Sequence, residues 1–546
     1  MNSKFRESGI SHPFLLVIAL ASSLALSAVV GIPNSHAGAI YYVSLTGSDT
    51  TGDGSSAKPW GSIGFGYSRM IGGDTLIVKN GVYTGQNNFI GRYGGRGYGQ
   101  PPNGSPGAYT VIRAETPFGV RINKGTSSPD YEDSYIRLIN RSYILVEGFV
   151  VDHSGGGPES TVSVEGSNHV KVKKLIVKRS GITNDYDEVV ATTGSSYVLW
   201  EDCALVGQMR YGFYVGGPSD TSQYIIYRRC VVRNDYTATT QPKASFCVYG
   251  NNSGYGAQDI LFQNCIVIDS HNTGMTGGER TYGGWYNPKN AKNVTWRGCI
   301  ALKVDSYYAA IFAKEQNGTG MTLTDTVMWD SGPTGDMGIQ AQGSGAGLTL
   351  NRCTIGGNGT AIGQYSSGTG HVLKNTLFYN NGALYAGGSE GWNVVTNNGF
   401  YPVTQAYGTN AVTQLIFGKQ KYILRVEADS GLYNAGDDGG NIGATIVNRW
   451  GADGTLWGEA GYDSLTGVPV WPWPYQDQIK AVFSESNPPP TGAVPSTNDT
   501  QRGFCATGQT LTNYIWSYLG NPTPPEYTTS PPPSKIPAAP QAIRVN

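Results

Sequence analysis

Carboxylates recur in this chain where turns are expected: Asp152, the run Asn184-Asp185-Tyr186-Asp187-Glu188, Asp235, Asp269, Asp305 and Asp330. Carboxylates brought close together repel one another unless a cation lies between them. Calcium suits such a set, since it takes about six to eight oxygen ligands and tolerates irregular geometry. Two sets are candidates for calcium: Asp235 with Asp269 and Asp305, and Asp185 with Asp187 and Glu188. The second set could also supply the paired carboxylates of a glycoside hydrolase, although near neighbours in one turn seldom converge on one bond. Two longer segments, RNDYTATTQPKAS (233–245) and DSHNTGMTGGERTYGGWYN (269–287), add Tyr236, Lys243, His271, Tyr282, Trp285 and Tyr286. Aromatic faces beside hydrogen-bonding side chains suit flat sugar rings, so Tyr236, Tyr282, Trp285 and Tyr286 are candidates for binding substrate. Lys314, Arg210, Lys243 and His271 are the candidate proton-transfer and charge-stabilising groups. The competing explanation is plain turn chemistry, because aspartate, asparagine and serine bond their own nearby backbone.

These residues hang on a repeat. YVLWEDCALVG (197–207), YIIYRRCVVRN (224–234), DILFQNCIVID (259–269) and NVTWRGCIALK (293–303) share one pattern with a cysteine in one slot. Followed in both directions, the slot reads Phe149, Leu175, Cys203, Cys230, Cys265, Cys299, Val327, Cys353 and Leu377, in steps of 26, 28, 27, 35, 34, 28, 26 and 24. Each phrase tends to alternate apolar with polar, the mark of a strand with one buried face. A shorter strand follows most of them: TVSVE (161–165), YGFYVG (211–216), SFCVYG (245–250), AAIFAK (309–314) and MGIQAQ (337–342). A period near 28 residues without helices is too short for a four-stranded propeller blade and fits an all-β, right-handed parallel β-helix. The slot then becomes an interior ladder, in which cysteine acts as a small buried hydrophobe. Strict alternation in AAIFAK turns Ile311 and Ala313 inward and Phe312 and Lys314 outward. The two long steps mark inserted turns, which could wall a groove.

Composition narrows the class. The formal charge is −1, which leaves no basic footprint for nucleic acid. Charged residues make up 14%, against about 25% in typical globular chains, while Gly (77) and Tyr (35) are abundant. Residues 1–37 read as an export signal: Lys4 and Arg6, then an apolar run (14–32), then Ser35-His36-Ala37. No later segment is long and apolar enough for a membrane span. The expected organisation is an N-terminal cap and loop (38–107), the coil (108–385), a C-terminal cap or module on its last turns (386–520, with a helix within 508–520), and a proline-rich tail (521–546).

The cap carries Tyr41-Tyr42-Val43-Ser44, Gly47-Ser48-Asp49, Pro59-Trp60-Gly61-Ser62-Ile63 and Gly73-Asp74-Thr75-Leu76-Ile77-Val78, with Gly81 and Tyr83. It resembles the opening of secreted bacterial proteins of the pectate-lyase-like β-helix superfamily. The resemblance covers the cap alone. It implies a β-helix and an exported protein, and leaves activity open among lyases, hydrolases, epimerases and non-catalytic adhesins. It also implies that the working face is the short strand with the turn before it. A lysine there resembles the base of some calcium-dependent lyases, which points to Lys314, although no complete lyase motif surrounds it. The sequence therefore suggests a polysaccharide-active protein, a calcium-dependent lyase on acidic glycans or a non-catalytic glycan-binding or structural protein. One departure from the family pattern is the middle of the cap, GSIGFGYSRMIGG (61–73), whose glycines argue against a helix there.

Overall fold

The computed structural model describes residues 38–91, 98–125, 134–154, 160–180, 188–217, 221–236, 244–250, 256–270, 284–304, 310–314, 318–331, 337–341, 347–364, 369–387, 392–402, 405–413, 420–485 and 500–528. The expected export signal lies outside them. The chain forms a parallel β-helix whose described strands make three long sheets of thirteen (sheet A), twelve (sheet B) and ten (sheet C) strands. From Thr110 to Gly387, a coil contributes one strand to each sheet and pairs in parallel with its neighbouring coils, while the first strands supply sheets A and B alone. Ser196–Glu201, Ala204–Gln208 and Tyr211–Gly216 make up one such coil.

The A-to-B corner explains the recurring cysteine. Its apex residue is left-handed in coil after coil: Gly148, Lys174, Asp202, Arg229, Asn264, Gly298, Asp325, Arg352, Asn375 and Asn397 have φ between 48 and 93°. Nine of these ten apex amides donate onward, as from Asp202 to the Arg228 carbonyl (3.0 Å) and from Arg229 to the Gln263 carbonyl (2.8 Å). The next residue is the slot. Backbone bonds align it as Leu175, Cys203, Cys230, Cys265, Cys299, Thr326, Cys353 and Thr376. The slot occupants expected at Val327 and Leu377 are thus one residue late, and both instead lie under the C-terminal segment. The corrected column shows what the position needs. The Sγ of Cys230 lies 3.6 Å from the carbonyls of Arg228 and Trp200, and Cys265 and Cys353 repeat the pattern. Thr326 and Thr376 donate to the carbonyls of Thr324 (3.2 Å) and Lys374 (3.0 Å). From Cys203 to Thr376 the slot takes a short side chain with a donor, a thiol being a weak one, while Leu175 fills it as a plain hydrophobe. All seven cysteines are free and buried.

Inside, rings stack from coil to coil. Tyr227, Phe262 and Trp296 lie 5.0 and 5.2 Å apart, and Phe213, Phe246 and Tyr286 each 5.3 Å apart, all near parallel. Outside, polarity follows cover. One outward row of sheet A runs Leu199, Ile226, Leu261, Thr295, Thr322, Thr349. Its aliphatic part lies beneath Leu456, and threonine begins where that cover stops.

The C-terminal segment (420–485 and 500–528) reaches the last turns, where Asp437 engages Lys374 and Asn375, but it is not confined to them as expected. It runs along the side of the coil. Its Ile423, Leu424, Ile442, Trp471, Trp473, Phe483, Phe504 and Trp516 bury the apolar outer rank of sheet B, from Val150 to Tyr379. The physical reason is that this rank is apolar but for Thr354, whose hydroxyl accepts from the Ala444 amide. Two short helices belong to the segment, after one in the cap. α1 (Ile63–Ser68) forms despite its glycines, since Asp49 accepts from the amides of Gly61 (2.8 Å) and Ser62 (3.0 Å) at its start. A Cβ on Gly66 would press on Val43 and Leu76 at 2.8 and 2.9 Å, so close packing requires glycine there. α2 (Gln476–Phe483) and α3 (Leu511–Trp516) pack on sheet B, and α3 fulfils the helix expected within 508–520. No helix of the described residues is long and apolar enough to cross a membrane.

Buried charge fixes the segment in place. Glu201 accepts from Arg228 and Lys173 (2.9 Å each) and from the Gly454 amide (2.9 Å). Burial opposes its ionisation, but Arg229, Lys173 and Arg228 outweigh that and hold its carboxyl well below the usual range. Removing one partner of a buried set strands the others. Glu201→Gln is expected to destabilise the protein by about 3–5 kcal/mol, against less than about 1 kcal/mol for Glu147→Gln at its more exposed pair with Lys174. Denaturant unfolding of both variants checks this. Asp325 gives a pH signature. Burial raises its carboxyl to about 6, because Arg352 is shared with Asp438 (2.7 Å) and compensates only in part from 3.4 Å. A raised folded pKa means the group favours folding fully below about 4, with that contribution lost as pH climbs through about 6. Across this window the native protein should lose stability relative to Asp325→Asn, as unfolding midpoints at a series of pH values will show.

Candidate functional site

The C-terminal segment makes its hydrogen bonds and ion pairs with sheets A and B and with the B-to-C corner. The third face is sheet C, built from the short strands, and its outer residues Ser163, Ala191, Cys247 and Gln340 are buried. Parallel pairing sets Glu188 beside Tyr211, Ala191 beside Tyr214 and Cys247, and Thr193 beside Gly216, Tyr249 and Lys289. A row of rings results. The centroids of Tyr211 and Tyr214 are 5.7 Å apart and those of Tyr214 and Tyr249 are 6.1 Å apart. Arg210 lies 4.7 Å over Tyr211 at one end, and Lys289 lies 4.9 Å over Tyr249 at the other. Gly216 makes the row possible: a Cβ there would fall 2.4 Å from the Tyr249 carbonyl oxygen and 3.2 Å from the Tyr214 hydroxyl. Burial, helped by Cys247 and Glu188, pushes the Tyr214 phenol far up, so it stays protonated and able to donate. Nearer the N-terminus on the same sheet, Glu165 is fully engaged, by Arg137 (2.9 and 3.1 Å) and by the Ser163 hydroxyl (2.7 Å).

The other residues expected from sequence divide into three groups. Arg210 and Glu188 belong to the row just described, and both are half-buried. Asp235 and Asp269 are placed by the C-terminal segment. Asp235 is paired with Arg233 (2.8 Å) and Arg502 (2.7 Å), while Tyr514 donates to Asp269 (2.7 Å) and Arg502 donates to its backbone carbonyl (3.0 Å). Burial raises the Asp269 carboxyl despite these partners. Two guanidinium groups and a phenol occupy these carboxylates, so the pair does not fit a calcium site. Nor do the described residues of this corner form a continuous row of carboxylates. The B-to-C corner runs Asp269, Lys303, Asp330, Gly357, Asn380, all left-handed with φ of 47–64°, and Tyr518 donates to Asp330. These aspartates serve turn and docking. Tyr286 faces the core instead of substrate. Its strand sets it opposite Phe246, and its hydroxyl lies 3.0 Å from the Cys265 carbonyl. Phe312 pairs opposite Tyr286 and is buried in the core together with Ile311, so the outward placement expected for Phe312 in AAIFAK does not hold.

Lys314 ends that strand and pairs with Ala341, and its side chain is outside the description, as are those of Tyr236 and Trp285 on their own strands. Lys243, His271, Tyr282, Asp185, Asp187 and Asp305 lie outside the described residues. Among the described residues no group of three or more His, Cys, Asp or Glu could hold a metal ion. The tyrosine row escaped the sequence analysis because Tyr249 belongs to a different coil from Tyr211 and Tyr214 and only register joins them. The visible signal was YGFYVG, whose two tyrosines open and centre a short strand.

Neither a family model nor a curated protein matches this chain in sequence. Solved structures do match. A rhamnogalacturonan lyase is 13% identical over 72% of this chain and 94% of its own, with a TM-score of 0.38. A PL6 family polysaccharide lyase from Pseudopedobacter saltans is 14% identical over 65% of this chain and 87% of its own, with a TM-score of 0.44. A pectate lyase is 16% identical over 73% of this chain and 91% of its own, with a TM-score of 0.42.

Proposed function

We propose that this is an exported polysaccharide-active β-helix protein that seats an acidic glycan along sheet C and cleaves it by elimination. One observation carries the reading: the row Tyr211–Tyr214–Tyr249, with Arg210 and Lys289 at its two ends. Rings offer apolar edges and faces to sugar C–H groups, the Tyr214 phenol donates to a sugar oxygen, and the two cations neutralise uronate carboxylates. Elimination needs that neutralisation, because it acidifies the proton beside the carboxylate before a base removes it. Arg210 is the described cation best placed to assist, and Lys314 is kept as the base to be tested. Calcium would supply the same neutralisation, and the ligands that remain for it are Asp185, Asp187 and Glu188. The engagement of Asp235 by Arg233 and Arg502, and of Asp269 by the Tyr514 hydroxyl, favours a second reading, a glycan-binding protein without catalysis.

The test is incubation with a panel of uronic-acid glycans, with calcium and with chelator, following ultraviolet absorbance of the new carbon–carbon double bond. A rise that chelator abolishes and Glu188→Gln weakens supports calcium-assisted elimination. A rise unaffected by chelator removes calcium from the account. Lys314→Ala with unchanged rate excludes that lysine as base. Tyr214→Ala and Lys289→Ala should each weaken glycan affinity about tenfold, equivalent to about 1.4 kcal/mol. Binding without absorbance change, lost in the same variants, would establish the second reading.

A further inference from the structure

A second aromatic row lies on a different edge, the C-to-A corner. Tyr143, His169, Tyr197 and Tyr224 occupy the same left-handed corner position in four successive coils, with φ of 52–59°. Their rings stack with centroid gaps of 4.5, 4.8 and 4.9 Å, and Trp457 of the C-terminal segment continues the column 5.6 Å beyond Tyr224. All five rings are half-buried, so one edge of the column meets solvent. His169 separates Tyr143 from Tyr197, which leaves Tyr197 and Tyr224 as the adjacent phenols. Strand register fixes this, since Ser196 pairs with Gln223 and Val198 with Ile225. The 31° tilt between their planes draws one pair of ring edges closer than the centroids. The other described tyrosine pair at 4.9 Å, Tyr379 with Tyr401, has Tyr379 only 5% exposed and its hydroxyl engaged by the Gln420 amide.

We propose that Tyr197 and Tyr224 are a site of oxidative phenol coupling, which staples two adjacent coils through a carbon–carbon bond. The oxidant is a peroxide-driven one-electron oxidant. Each phenol gives up its O–H hydrogen atom, and the two phenoxyl radicals carry spin onto their ortho carbons. Those carbons join, and the hydrogen on each moves to its own oxygen as the rings regain aromaticity. Two hydrogen atoms leave the protein, and one hydrogen peroxide becomes two waters. The rigid register holds the partners together before oxidation, so coupling within one chain outruns coupling between chains.

The full chain is treated with hydrogen peroxide and a peroxidase, and read by dityrosine fluorescence, intact mass and peptide mapping. The expected product is monomeric, lighter by two hydrogen atoms, with one cross-linked peptide pair containing Tyr197 and Tyr224. Tyr224→Phe keeps the ring and the column, so the fold stands, and it should abolish the fluorescence. Tyr401→Phe should leave it unchanged. Fluorescence that persists in Tyr224→Phe, a link mapped to another pair, cross-linked dimers alone, or oxidation of Trp457 without a Tyr–Tyr bond would each overturn the proposal.

Discussion

The rest of the structure depends on the left-handed bend between sheets A and B, held in register by backbone bonds from coil to coil. Left-handed φ costs a residue with a side chain about a kilocalorie per mole or more. Eight of the ten apex residues carry one: three asparagines, two aspartates, two arginines and a lysine. The cost is met collectively, because nine of the ten apex amides donate onward and each cysteine of the slot behind them lies against two carbonyls. Once that bend repeats in register, the other features follow from the two-residue period of the strands. Phe213, Phe246 and Tyr286 must meet inside, and Tyr214 and Tyr249 must meet outside.

Cover then decides which face can work. The C-terminal segment lies on sheet B through apolar packing, and it is pinned by charges that water does not reach. Arg233 binds Asp235, the Phe483 carbonyl and the Cys505 sulfur, and Arg228 binds Glu201 and the carbonyls of Ala452 and Tyr462. Sheet A is covered along its Leu199–Leu261 row and along its Glu201–Gln263 row, and the first of these turns to threonine beyond Leu261. Sheet C carries the aromatic and cationic row of Tyr211, Tyr214, Tyr249, Arg210 and Lys289. Its outer residues between the rings, Ala191 and Cys247, are buried.

The coil itself was legible in the sequence, because a repeating strand phrase with one marked slot survives changes in loop length. Three things were not. The phase of short strands was ambiguous, since GxV-type and AxF-type segments alternate small with large on both faces, and so Phe312 and Tyr286 were assigned to the wrong side. The fate of the aspartates was invisible, because Arg502, Tyr514 and Tyr518 lie more than 180 residues from the carboxylates they engage. The tyrosine row was hidden for the same reason. Its members are 3 and 35 residues apart, and only the inserted turn between them brings the last into line.

The claim that sheet C is the glycan-binding face is tested most directly by amide hydrogen exchange with and without a bound uronic-acid oligosaccharide. The account expects added protection in the strands Glu188–Thr193, Tyr211–Gly216 and Ala244–Tyr249 and the turns that join them. Protection confined to the outer face of sheet A or to the C-terminal segment, with those three strands unchanged, would contradict it.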